Sequence, residues 1–257
     1  MNSLDRIDLE LFKVPGSTAQ AYVKGVGLES IFWNLYGSAY DQLSIVGPYQ
    51  AMQRQVIAAL QISSGTRILD LGSGTGRLLA ELEETDADRI GIDISSVMLR
   101  HARKNAPGSR FLQVDINKTL PFADATFDRV ASINSFNVCA SPKDLLKEMH
   151  RVLRRDGLAV VVLPCRDFSA STIILDHLRR GIGAWMQLLV RLHYLFVVLA
   201  CTEIITRRER AGSYSGISDL AFEEASQDRF EIVGRELCYS DQARMFILRK
   251  KGESELD

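Results

Sequence analysis

The run ILDLGSGTG, from Ile68 to Gly76, brings together residue types that can hold a nucleotide. Glycines alternate at Gly72, Gly74 and Gly76, with Asp70 just before them and Arg77 just after. The pattern predicts a buried strand over Arg67 to Leu71, a tight turn over Gly72 to Gly76 and a helix from Arg77 onward. Such a turn delivers backbone N–H groups at a helix N-terminus, and its glycines let the backbone approach a ligand closely. Two further acids follow in order. Asp93 closes the next apolar run, RIGIDI, and Asp115 ends the one after it, RFLQVDI. An acid about twenty residues beyond the first glycine accepts the two hydroxyls of a ribose. Asp115 has the chemistry to accept a hydrogen bond from the exocyclic amine of adenine, with Ile94, Met98 and Ile116 sandwiching the ring. The plainer alternatives are solvated strand-end carboxylates for the acids and a core side chain for Met98.

Glycine loops serve dinucleotides and S-adenosyl-L-methionine (SAM) alike. Three details favour SAM. A dinucleotide loop wants a third glycine where this chain has Arg77. Asp70, at the mouth of the site, opposes a pyrophosphate but suits an ammonium and a sulfonium. Finally, the runs FEIVGREL and ARMFILRK near the C-terminus predict a hairpin that adds an antiparallel strand, which ordinary dinucleotide folds lack.

With these residues in view, the chain resembles the class I SAM-dependent methyltransferases, in particular the group that includes quinone and small-molecule methyltransferases. The matching segments are DLGSGTG at Asp70 to Gly76, GIDIS at Gly91 to Ser95, VDI at Val114 to Ile116, LPFADATFDRV at Leu120 to Val130 and LLKEMHRVLRRDG at Leu145 to Gly157. The resemblance implies that Asp70, Gly72, Ser73 and Gly74 hold the methionine part of SAM, Asp93 the ribose and Asp115 the adenine. It also implies that Asn134, just past the fourth strand, faces cofactor and substrate. WNLYGSAYDQL resembles the family's YD segment, which makes Tyr36 and Tyr40 contacts over the cofactor. Two alternatives stay open: a nicotinamide-dependent oxidoreductase on a related sheet, and a non-catalytic SAM-binding partner subunit, whose mark would be a degraded glycine loop.

The elements that must position these residues can be read from their periodicity. Helices are expected at Ala19 to Tyr36 and at Pro48 to Leu60, where Pro48 suits a first turn. From Arg67, short apolar runs alternate with helical segments (RILDL, GRLLAELEE, RIGIDI, SSVMLRHARKN, RFLQVDI, TFDRVASI, SPKDLLKEMHRVLRRDG, LAVVVLP), which is the signature of βαβ units and a parallel sheet. Ser95 and Ser141 are set to cap helices, and Gly157 follows the basic end Arg154–Arg155 as a stop. A helix at Ile217 to Ser226 precedes the hairpin, whose turn is Ser240 to Gln242, and the tail from Gly252 reads as disordered. The expected fold is therefore α/β: a Rossmann-like doubly wound sheet, mostly parallel with an antiparallel C-terminal strand, plus a helical cap. Its parts are N-terminal helices over the cofactor site (1–62), a SAM-binding core (63–164), a cap insertion (165–215) and a closing helix and hairpin (216–257).

A chain of 257 residues buries one sizeable core. Its net charge of −1 provides no basic field for nucleic acid, so none is expected as a partner. Cys139, Cys165, Cys201 and Cys238 show no metal-ligand spacing and read as reduced thiols, and no metal is expected. Asp5, Asp8 and Glu10 stand where a signal peptide would be basic, which points to the cytoplasm.

Methyl transfer needs a general base only when the nucleophile arrives protonated, and histidine is the usual choice. His101 and His150 fall on sheet-packing helices, which leaves His177 and His193, in the insertion, as catalytic candidates. Gly183 to Thr206 is apolar around most of a helical circumference, with Gln187, Arg191 and Thr202 on one stripe. Arg191 and His193 interrupt the run, and the uncharged stretch Tyr194 to Thr202 falls far short of the roughly 20 residues of a spanning helix. Three readings stay open: a cap helix on the sheet, the wall of a hydrophobic acceptor pocket, and an interfacial helix giving peripheral membrane contact through 183–210. Between Cys165 and Gly212 seven basic residues face four acidic ones, which suits an anionic amphiphile or membrane surface. The expected acceptor is a small hydrophobic molecule such as a quinone, isoprenoid or lipid.

Overall fold

The computed structural model describes residue 39 and residues 46–165, 168–190, 192–210 and 217–252. The helix expected at Ala19 to Tyr36, both N-terminal tyrosines and the tail beyond Gly252 lie outside these residues.

Leu69 and Leu71 of β1 (Arg67–Leu71) join one side of the core and Ile68 the other, and all three are fully buried. A strand covered by helices on both faces has this pattern, which is why RILDL reads as a nearly continuous apolar run. The same division holds in β5 (Leu153–Pro164), where Ala159, Val161 and Leu163 belong to one layer and Val160 and Val162 to the other.

With β2 (Asp88–Asp93), β3 (Arg110–Gln113), β4 (Phe127–Ile133), β6 (Phe230–Cys238) and β7 (Ala243–Lys250), the described strands form one sheet of order β3-β2-β1-β4-β5-β7-β6. Neighbours from β3 through β5 are parallel, and β7 runs antiparallel between β5 and β6. The mostly parallel sheet with an antiparallel C-terminal strand is thus observed. From β1 the chain winds outward through β2 and β3, then returns to β4 and winds the other way. The carboxyl ends of β1 and β4 therefore flank a topological switch point, where open α/β sheets bind ligands.

One face of the sheet is covered by α1 (Gly47–Leu60), the single turn α2 (Arg77–Ala80) and α3 (Ser96–Asn105), and the other by α4 (Pro142–Val152) and α8 (Asp219–Ser226). The serines cap as expected: Ser95 Oγ accepts from the Met98 N–H and Ser141 Oγ from the Asp144 N–H. Ser218 does the same for α8, and each such cap contributes about 1 kcal/mol.

Several boundaries differ from the sequence reading. The helix expected through Arg155 with Gly157 as its stop ends at Val152, because Leu153 already pairs with Phe127 and is fully buried. The next register pair is Arg129 with Leu158, so Arg154 to Gly157 loop out, with Asp156 at φ 60° and Arg154 Nη1 2.7 Å from Asp128. A fully buried leucine outweighs one more turn of exposed charged residues. Helix GRLLAELEE shortens to Arg77–Ala80; beyond it the N–H groups of Leu82, Glu83 and Thr85 bond three residues back, and the buried Arg89 guanidinium caps the turns through the carbonyls of Leu82, Thr85 and Ala87. Strand β3 stops at Gln113, two residues before Asp115.

Beyond β5 the chain forms α5 (Ala170–Leu178), α6 (Ile182–Val190) and α7 (Leu192–Arg210). The apolar segment from Gly183 to Thr206 is carried by two helices, α6 and α7, bent by 66°. Arg191 of the expected stripe of Gln187, Arg191 and Thr202 lies outside the described residues. Among the described side chains of α6 only Ala184 is buried, so this segment is largely exposed rather than packed on the sheet.

Candidate cofactor site

Asp70, the last residue but one of β1, has 3 % of its surface exposed, and Asp93, which ends β2, has 9 %. The turn between Asp70 and α2 is bound tightly to β2. The N–H groups of Gly72 and Ser73 both donate to the Ile92 carbonyl at 2.9 Å, and the Gly74 N–H donates to Asp93 Oδ2 at 2.9 Å. Gly76 N–H closes the turn on the Ser73 carbonyl. The amides of Gly72, Ser73, Gly74 and Gly76 thus hold the loop on its own sheet and turn.

Two carboxylates meet at the same place. Burial, with the charge of Asp93 adding to it, pushes Asp70 up to about 7. Burial also pushes Asp93 up to about 6, against the stabilising N–H groups of Ser95, Gly74 and Ile94. Buried acids that repel one another are relieved by a cation, which an ammonium or sulfonium supplies.

The structure brings Asn134 and Ser73 to this edge as well. Asn134 follows β4 in the left-handed region (φ 55°), with its N–H donating to the Val162 carbonyl at 3.0 Å. Among the described residues, Asn134 Oδ1 and Ser73 Oγ are buried polar atoms with no hydrogen-bond partner. Such atoms are costly unless a ligand completes them. A Cβ placed on Gly74 meets nothing within 4 Å, so the loop has open space in front of its centre.

Asp115 is half-buried, its Oδ1 accepting from the N–H and side-chain amide of Asn117 at 3.0 Å. The Val114 N–H donates to the Asp93 carbonyl at 3.0 Å, which extends the β2–β3 pairing and keeps the two strand ends together. Ile94 and Ile116 are half-buried, whereas Met98 is 5 % exposed on α3. Tyr36 and Tyr40 lie outside the described residues.

The histidines separate. His177 Nδ1 accepts from the Gly47 N–H at 3.3 Å, and a backbone hydrogen bond links its ring to Ala184. Its burial lowers its pKa, and these bonds make it a strut between the start of α1 and the α5–α6 region. His193 is exposed on α7, its ring centroid 3.8 Å from that of Tyr194. His150 packs edge-on against Phe230 and hydrogen-bonds the Lys251 carbonyl at 3.2 Å.

Two serines were missed by the sequence reading. Ser135 Oγ donates to the Leu71 carbonyl at 2.7 Å and lies 2.7 Å from Ser132 Oγ, tying the end of β4 to the start of the glycine loop. The only signal for them is the SINS spacing around Asn134. Ser135 also explains Gly72, where an added Cβ would stand 2.5 Å from the Ser135 Cβ at φ +72°.

The two glycines should therefore fail differently. Gly72→Ala is expected to destabilise the fold by about 2–3 kcal/mol through overpacking and strain. Gly74→Ala, with only a left-handed backbone to strain, should cost about 1 kcal/mol of stability while filling the cradle and weakening SAM at least tenfold. Thermal melts alongside calorimetric SAM titrations check this, and equal melting temperatures for the two variants would contradict it.

Comparison with known proteins agrees with this geometry. A methyltransferase domain family matches residues 69–161. The biotin biosynthesis bifunctional protein BioHC of Cellvibrio japonicus is 30% identical over 207 residues, 80% of this chain but only 38% of that protein. The ubiquinone/menaquinone biosynthesis C-methyltransferase UbiE of Geotalea uraniireducens is 26% identical over 82% of this chain and 86% of its own length. The uncharacterized methyltransferase YdaC of Bacillus subtilis is 30% identical over 48% of this chain and 69% of its own. A TehB-like SAM-dependent methyltransferase from Corynebacterium glutamicum shares the fold, with a TM-score of 0.59 at 18% identity over 86% of this chain and 99% of that one. The cationic nucleoside that the loop's chemistry selects is the cofactor of this group, and the chain belongs to the class I SAM-dependent methyltransferases.

Proposed function

We propose that this methyltransferase acts on a small lipophilic acceptor of the quinone, isoprenoid or lipid kind. When bound, SAM supplies a methyl group already activated by the sulfonium charge. The chain supplies alignment and exclusion of water. In this reading Asp70, with Gly72, Ser73 and Gly74, holds the methionine end. Asp93 holds the ribose while stapling the loop, Asp115 with Ile94, Met98 and Ile116 holds the adenine, and Asn134 Oδ1 faces the reacting end. The family resemblance assigns Tyr36 and Tyr40, outside the described residues, to the same cofactor. A nucleophile that arrives protonated must give its proton to a base. The bonds of His177 to Gly47 and Ala184 argue against it in that role, and His193 remains the candidate.

The observation that carries the acceptor class is the position and chemistry of α5 to α7. They leave the sheet from the carboxyl end of β5, the same edge that carries Asp70, Asp93 and Asn134, and they are predominantly apolar. In this reading an apolar segment arising from that edge offers hydrocarbon surface to an acceptor that needs it. UbiE, named for a quinone pathway, is a relative in keeping with this.

Transfer of tritium from methyl-labelled SAM tests the reading. Short-chain quinols and prenylated phenols are expected to be labelled at least tenfold faster than small polar amines. Transfer to amines without transfer to the lipophilic acceptors would overturn it.

A further inference from the structure

The α6–α7 pair exposes far more apolar surface than a freely soluble face needs. Ile182 is 83% exposed, Trp185 53%, Met186 64%, Val190 71% and Phe196 74%, and Leu189 between them is also exposed. Scattered exposed leucines are ordinary, but on α6 Ile182, Trp185, Met186, Leu189 and Val190 recur at the spacing of one helical face, and an exposed apolar face of this kind marks an interaction surface. Its charge pattern points to what covers it. From Arg179 to Thr202 every charged residue is an arginine, namely Arg179, Arg180 and Arg191, and Glu203 is the first acid after Asp176. Arg207 follows on the last turns of α7 with its side chain 74% exposed, although Glu203 is 2.8 Å away.

Length and charge together set how such a pair meets a bilayer. Among the described residues no single helix is long and apolar enough to cross a membrane. At a rise of about 1.5 Å per residue, α6 and the apolar part of α7 reach roughly 14 and 20 Å, well short of a hydrocarbon core of about 30 Å. Together the pair, bent by 66°, has the length and composition of a broken span or re-entrant loop, but the arginine between the two helices in the sequence and the arginines on either side set it at the surface. A short apolar pair carrying an exposed tryptophan and phenylalanine, flanked by arginines, fits the interfacial zone, where aromatic rings and cations meet headgroups.

We infer that α6 and α7 dock this enzyme onto the surface of an anionic lipid bilayer, lying in the interface rather than spanning it. This goes beyond the acceptor reading, because docking requires neither acceptor nor methyl transfer. It also places the carboxyl edge of the sheet, from which these helices arise, toward the lipid phase.

Co-sedimentation of the full chain with vesicles tests the inference. Phosphatidylcholine vesicles containing about a third phosphatidylglycerol are expected to carry the protein down, and pure phosphatidylcholine to do so at least tenfold less. Trp185→Ser with Phe196→Ser should lower partitioning at least tenfold, and Arg179→Gln with Arg207→Gln roughly tenfold on the anionic vesicles only. Each variant should still bind SAM with wild-type affinity, which shows that it is folded. The anionic vesicles should also shift tryptophan emission to the blue, and Trp185→Phe should abolish that shift.

Wild-type protein that binds SAM but stays in the supernatant with both vesicle types would overturn docking while leaving the methyltransferase intact. So would a stable dimer that Phe196→Ser dissociates and that ignores vesicles, because the face would then belong to a second copy. Docking with failed transfer to every lipophilic acceptor would instead sink only the acceptor reading.

Discussion

Replacing Asp93 with alanine is expected to weaken SAM binding at least a hundredfold, about 2.7 kcal/mol, measured by calorimetry at neutral pH. Two losses combine. The ribose loses its carboxylate acceptor, and the glycine loop loses a staple, since Asp93 Oδ2 accepts the Gly74 N–H at 2.9 Å while Oδ1 accepts the Ser95 N–H at 2.8 Å. Hydrogen bonds to a charged acceptor are each worth about 1.5–3 kcal/mol, so either loss alone is substantial. The fold should survive, because removing a buried acid that is already pushed up to about 6 also removes a desolvation cost. Asp93→Asn, which keeps one acceptor oxygen, should fall between. An affinity within threefold of wild type for the alanine variant would mean that the ribose lies elsewhere.

The affinity for SAM is expected to rise with pH through neutrality. Asp70 is pushed up to about 7 in the ligand-free protein, chiefly by burial, and a cation is held only by its ionised form. From about pH 5.5 to about pH 8 the ionised fraction grows about thirtyfold, and the association constant should follow, with protons released on binding. Calorimetry in buffers of different ionisation enthalpy detects that release.

Stability of the ligand-free protein should move the other way. A carboxyl raised above its unfolded value of 3.8 contributes stability that is fully present below about pH 4 and is lost as pH rises through about 7. The ligand-free melting temperature should therefore drop across that window, and Asp70→Asn should remove much of the drop. A pH-independent affinity would show that Asp70 does not hold the cationic end.

The sheet strands were legible because burial on both faces forces a continuous apolar run, and RILDL and LAVVVLP show it plainly. The meeting of Asp70 and Asp93 was legible for a related reason: in a right-handed βαβ array parallel strands end on one edge, so acids near the ends of neighbouring strands lie together, whereas Asp115 falls two residues past β3. Ser95 and Ser141 were equally readable, since a cap acts within three residues.

What stayed hidden was decided across the chain. No periodicity says that the Gly72 and Ser73 amides turn to the Ile92 carbonyl rather than to a ligand. Nor does any local pattern foresee His177 bonding the Gly47 N–H, 130 residues away, or Ser135 reaching the Leu71 carbonyl, 64 residues away.

By itself, then, the sequence determined the order of strands and helices, the acids at their ends and the nature of a cofactor that two carboxylates would welcome. The tertiary structure alone decided which donors the loop keeps for itself, which histidine is a strut, and that the apolar insertion is a broken and exposed pair rather than a packed cap. The physical reason is range: propensity, capping and burial patterns act within a few residues. The partner of a polar atom, and whether an apolar face finds cover, depend on what the finished fold brings beside it.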